Sequence, residues 1–155
     1  MFKVSTVDNI RFFHLSWELG TYAQTILERN ATTYSVFSSQ SLPPPSSVPN
    51  AQRSALEPFF NIATRVVSSQ SRNQTGSPQP FIPEDASAAD PVSIGVCVLI
   101  ANWTKAGSLA YGAAAKSQLD YLLTAVPKTS DGAISHRVSQ VQLWSVPPFR
   151  IVCGY

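Results

Sequence analysis

Apolar residues recur at helical spacing in four stretches of this chain, and long polar stretches separate them. Ser16 is placed to cap a helix beginning at Trp17-Glu18, with Trp17, Tyr22, Ala23, Ile26 and Leu27 near one face. Gly20 inside that helix costs roughly 1 kcal/mol relative to Ala, which points to close packing or a ligand there. A second helix is predicted over 54–68. Ser54-Ala-Leu-Glu57 reads as a capping box, Leu56, Phe59, Phe60, Ala63 and Val67 make the apolar stripe, and Pro58 is tolerable near the first turn. The third has Asp90 as N-cap, Pro91 at the first helical position, and Val92, Gly95, Val96, Leu99, Ile100 and Trp103 at helical spacing. After the Ala106-Gly107 break a fourth runs over 109–126, with Tyr111, Ala115, Leu119, Leu122, Leu123 and Val126 on one face, and Pro127 ends it. The short turn between the last two predicts an antiparallel helical hairpin.

The intervening segments are polar. Residues 38–49 are rich in Ser and Pro and have no helical option, and 69–89 are rich in Ser, Gln, Asn, Pro and Gly. The stretches 133–137 and 141–144 alternate loosely and predict a small β-excursion. The expected architecture is all-α, four to five helices carrying long polar loops, behind an N-terminal extension over residues 1–15.

The length of 155 residues suits one domain with a real core. Apolar content is 44 %, which rules out a disordered polymer, whereas only 13 % of residues are charged, about half the usual share. A net charge of +2, spread over Lys3, Arg11, Arg29, Arg53, Arg65 and Arg72 without a run, argues against nucleic acid as a partner. The longest apolar run, 92–103, is too short to span a bilayer. Cys97 lies in Val96-Cys97-Val98-Leu99-Ile100 and reads as a buried, unreactive thiol, although a disulfide with Cys153 stays open. His14 and His136 are far apart and no CxxC occurs, so no metal or other cofactor is expected. Three glycosylation sequons, Asn30-Ala-Thr32, Asn73-Gln-Thr75 and Asn102-Trp-Thr104, hint at a secreted parent, though such triplets also arise by chance. The first residues carry Asp8 and Arg11 where an apolar core should lie, so they do not read as a signal peptide.

Four stretches, taken in order, resemble the six-hairpin glycosidases, the unsaturated rhamnogalacturonyl and glucuronyl hydrolases. They are Trp17-Glu18-Leu19-Gly20, Asp90-Pro-Val-Ser-Ile-Gly95, Tyr121-Leu-Leu, and the run from Asp131-Gly132 through His136 to Leu143-Trp144 and Pro147-Pro148-Phe149. The proline-rich insert at 42–49 suggests a fungal-type branch. The resemblance implies a toroid of six helical hairpins that hydrates the vinyl ether of an unsaturated uronic sugar at the end of an acidic oligosaccharide. That chemistry needs one carboxylic acid to protonate the double bond and a base to activate water. It implies Asp90 as one catalytic carboxylate and Trp17, Glu18, His136 and Trp144 as sugar-binding residues.

The second carboxylate of that family stands two residues after the Leu-Trp tryptophan, and here that position is Val146. Six hairpins also need ~200 residues at least, so the chain is expected to cover about a third of the toroid, to lack catalysis, and to self-associate through helix faces left open. Two other readings remain beside this one: a carbohydrate-binding remnant without catalysis, and a helical-hairpin interaction module. Residue by residue, Asp90 also serves as an N-cap before proline. His136 also suits a loop position bonded to backbone. Trp17 and Trp144 suit core aromatics as well as sugar platforms, Asp120 a solvated helix position, and Asp131 a turn.

Overall fold

The computed structural model describes residues 16–39, 43–72 and 76–143. They contain α1 (Ser16–Asn30), a one-turn α2 (Asn50–Arg53), α3 (Glu57–Arg72), α4 (Gly95–Trp103) and α5 (Tyr111–Thr124), with 3₁₀ turns at Thr32–Tyr34 and Asp90–Ile94. No strand occurs among the described residues, so the all-α class holds. The expected β-excursion reduces to two isolated antiparallel bridges, Ser87 with Arg137 and Lys128 with Ile134, and its part from Trp144 onward lies outside the described residues.

Helix α4 packs against α1, α3 and α5. Its Cys97, Val98, Ile100 and Ala101 join Leu27 of α1, Phe59, Ile62 and Val67 of α3, and Tyr111 of α5 in one core. Burial of each such aliphatic side chain stabilises by about 1.5–3 kcal/mol. Cys97 is a free thiol in that core, and burial pushes its pKa up to about 12, so it stays protonated and unreactive at neutral pH. A smaller cluster of Ala88, Leu122 and Val126 seats the far end of α5 against Val92 and Ile134.

Helix α1 lies on the 3₁₀ turn Asp90–Ile94 through its glycine. A Cβ on Gly20 would overlap the Ser93 side chain and come 2.8 Å from the Ser93 carbonyl carbon. Of the two explanations for a helical glycine at this position, close packing is the one observed.

Several boundaries differ from expectation for identifiable reasons. The second helix runs over Glu57–Arg72 rather than 54–68. Ser54 ends α2 in helical geometry, φ −67 and ψ −36, and gives its carbonyl, not a capping hydroxyl, to the Glu57 N–H. Pro58, which has no N–H, thereby falls in the first turn of α3, where no donor is needed. The helix continues past Ser68 because Gln70 is buried and its Nε2 donates to the Gln79 carbonyl at 2.9 Å. Asp90 is not an N-cap: Ala89 holds that position without a side-chain bond, and Asp90 is the first residue of the 3₁₀ turn. The last helix starts at Tyr111, not 109, since Ala110 has ψ 58 and leaves the helical region. Ser16 does not cap α1 either; it lies within the helix, and its hydroxyl donates to Asp85.

The segment after α1 is fastened by side chains. Tyr34 donates its hydroxyl to the Ser47 carbonyl at 2.5 Å, Val48 is buried, and Trp103 Nε1 donates to the Pro44 carbonyl at 2.9 Å. The apolar stripes of the last two helices are only partly used. Leu99 and Trp103 of α4 are 56 % and 43 % exposed, and Leu119 and Leu123 of α5 are 53 % and 46 % exposed. Helix α4 is apolar on nearly every side, a pattern suited to burial all round, yet neighbours cover only part of its circumference.

The Gly20 contact generates a direct test. Gly20→Ala forces α1 off the 3₁₀ turn and is expected to destabilise the protein by about 1–3 kcal/mol, although Ala is the better helix former. Urea unfolding measures it, and a stabilised Gly20→Ala would mean that α1 and the turn are not in contact.

Candidate functional site

Three of the segments singled out by sequence meet at the N-terminal end of α1. The connection runs through Asp85 and Ser87. Asp85 accepts from the Ser16 hydroxyl through Oδ2 and from the Ser87 N–H through Oδ1, the latter at 2.9 Å. The Ser87 hydroxyl accepts the Asp90 N–H at 3.1 Å and lies 3.3 Å from His136 Nε2. Its backbone pairs with the 136–138 segment, where the Ala88 N–H donates to the His136 carbonyl at 2.7 Å and the Val138 N–H to the Ala86 carbonyl at 3.2 Å. Ser93 closes the arrangement, donating to the Asp90 carbonyl at 2.6 Å with its oxygen 3.5 Å from the Ser16 carbonyl.

Each of these residues adopts its place for a local reason. Asp and Ser two apart form turns by bonding backbone N–H groups with their side chains, and Asp85-Ala-Ser87 is such a turn. Ser135 does the same for the facing loop. It is buried, takes the Gln142 and Arg137 N–H groups at 2.9 and 3.1 Å, and donates to the Gln140 carbonyl at 2.8 Å. His136 is thereby fixed between Gln142, whose carbonyl accepts its N–H at 2.8 Å, and Ser87.

Trp17 shares a face with Ala23, Ile26 and Leu27 in the sequence pattern, yet it is 47 % exposed. Only Ser16, Gly20, Ala23, Ile26 and Leu27 of that helix are buried. Glu18 and Asp90 are half-buried, and His136 is buried with 8 % exposure. The indole and the two carboxylates therefore retain solvent contact, whereas His136 is almost fully enclosed. Trp144 and Val146 lie outside the described residues. Asp131 is exposed in a turn ahead of Gly132, whose φ of 89 suits glycine. Asp120 pairs with Lys116 at 2.5 Å on the outside of α5. Neither contributes to the cluster around Ser87.

Asp85, Ser87 and Ser135 escaped the sequence reading. Their signal is the Asx-type spacing in Asp85-Ala-Ser87, which is common in loops and becomes informative only when the facing segment is known. A shallow depression of about 460 Å³ elsewhere on α1 is lined by Thr21, Gln24, Thr25, Glu28 and Arg29. It lies along one face of a single helix and is too open to enclose a ligand. Among the described residues no three His, Cys, Asp or Glu side chains gather as metal ligands, and no helix is long and apolar enough to cross a membrane.

Comparison with known proteins adds no relative: no family model, no curated protein and no solved structure matches this chain.

Two measurements follow from the site geometry. Ser87→Ala leaves the Asp90 N–H without its acceptor and should cost about 1–3 kcal/mol; an unfolding curve superimposable on wild type would remove Ser87 from its central position. At the turn, the Thr129 hydroxyl bonded to Asp131, helped by backbone N–H groups, holds that carboxyl below the ordinary carboxylate range. A carboxyl lowered on folding stabilises above its unfolded pKa, and the contribution disappears as pH falls through the folded value. Thr129→Val should return the Asp131 titration, followed by carboxyl NMR, toward ordinary values.

Proposed function

We propose that this chain is a six-hairpin-glycosidase-like protein that recognises the unsaturated uronyl end of an acidic oligosaccharide without turning it over. What supports the reading is the joining of three separate segments that the resemblance assigns to the sugar cleft: the Asp90 N–H and the His136 ring meet at the Ser87 hydroxyl, and Ser16, which precedes Trp17 and Glu18, bonds to Asp85 of the same turn. Segments that line a shared ligand site should meet in this way.

The chemistry available to them fits binding. An exposed indole offers a flat apolar face to a sugar ring. Half-buried carboxylates accept hydrogen bonds from sugar hydroxyls, and Arg137 supplies the basic residue of the bridged segments. Hydration of a vinyl ether needs a proton donor and a base acting as a unit. With Val146 where the second acid should stand, loss of one member lowers the rate by orders of magnitude, because such groups are not additive.

Titration with an unsaturated uronyl disaccharide, read by tryptophan fluorescence, tests this. Saturable quenching that disappears in Trp17→Ala and weakens in His136→Ala is expected, while the ultraviolet absorbance of the double bond persists on long incubation. Absence of quenching would end the sugar-binding reading. Steady loss of the absorbance would show that Asp90 works without a carboxylate at 146.

A further inference from the structure

Helix α4 ends in the triplet Asn102-Trp103-Thr104 and presents an uncovered apolar strip beside it. Asn102 is exposed, and among the described residues its carboxamide has no hydrogen-bond partner. Its oxygen is its closest atom to Gly112: a Cβ at Gly112 would stand 3.0 Å from Oδ1 and 3.5 Å from Nδ2. The other described sequon differs. Asn30 is half-buried, and its Nδ2 donates to the Ile26 carbonyl at 2.9 Å in the last turn of α1. Asn73 lies outside the described residues.

From this contrast we infer that Asn102 is an N-glycosylation site and that its glycan covers the Leu99–Trp103 strip of α4. The strip combines exposed Leu99 and Trp103 with no charged residue over Gly95–Trp103, so its own residues supply no ionic solvation. Asn102 stands three positions after Leu99 and next to Trp103, on adjoining parts of the helix surface. A glycan rooted there is tethered to the strip and supplies hydroxyls to water on its outer side. The reaction transfers an oligosaccharide from a lipid-linked diphosphate donor. The bond from the anomeric carbon to the Asn102 amide nitrogen forms, the bond from that carbon to the diphosphate oxygen breaks, and the amide proton is lost.

Timing is also fixed by the fold. Thr104 is buried and its hydroxyl donates to the Ile100 carbonyl at 2.7 Å. The sequon hydroxyl is therefore presented to a transferase only before the last turn of α4 closes, so modification accompanies synthesis and the folded chain is a poor acceptor.

The test is expression of the full chain behind a secretory leader in a eukaryotic host, with glycopeptide mass spectrometry and binding of a hydrophobic fluorescent dye. The expected result is a glycan at Asn102 that Asn102→Gln removes, seen as one lost step in gel mobility. Enzymatic removal of the glycan from the folded protein should then raise dye fluorescence and shift the protein toward dimers or larger species. An unmodified Asn102, whether or not Asn30 is occupied, overturns the site. A modified Asn102 whose deglycosylation leaves dye binding and size unchanged overturns the covering role. Efficient modification of already folded chain by an isolated transferase overturns the timing.

Discussion

The approach of α1 to the Asp90–Ile94 turn is the constraint on which the rest of the molecule depends. It is possible only because Gly20 has no Cβ to strike Ser93. That contact sets the distance between the first helix and the entry to α4, and Ser16, Asp85 and Ser93 then exchange hydrogen bonds across it. The backbone penalty of glycine in a helix, about 1 kcal/mol, is offset by packing that any larger residue would prevent. The bond from Ser16 to Asp85, and through Asp85 the link to Ser87, depends on this contact.

Helix positions were legible in the sequence because amphipathic spacing and proline placement are local signals. Phe59 and Val67, Tyr111 and Leu122 mark buried faces in the chain as they do in the fold. The starts of α3 and α5 were less legible. Ser54 and Ala110 sit at junctions where backbone bonds from the preceding turn decide the outcome, and a single residue type does not reveal them. The spacing of Leu99, Leu119 and Leu123 marked apolar faces, yet all three are exposed. Periodicity identifies an apolar face, but not whether another element covers it.

The candidate site shows the same division. Trp17, Glu18, Asp90 and His136 could be singled out one at a time, each with a plain structural alternative. For His136 that alternative is well represented, since buried backbone bonds hold its main chain on both sides. What the sequence could not convey was the bridging by Asp85 and Ser87, because the pairing of 86–88 with 136–138 joins residues about fifty positions apart, and no local pattern encodes it.

That long reach carries a consequence for how the chain acquires its structure. The partners that hold the start of α1 lie 69 and 77 residues downstream, at Asp85 and Ser93. Helix α1, which precedes the other described helices in synthesis, is thus among the last of them to be secured, since those partners must be made before it can dock. Until then α1 depends on its own turns, and an isolated helix of about this length is marginal in water. Closing so large a loop adds an entropic cost that grows only slowly with length, so the delay is set by synthesis rather than by search. During that interval the apolar side of α1, Ala23, Ile26 and Leu27, stands open to chaperones or to neighbouring nascent chains.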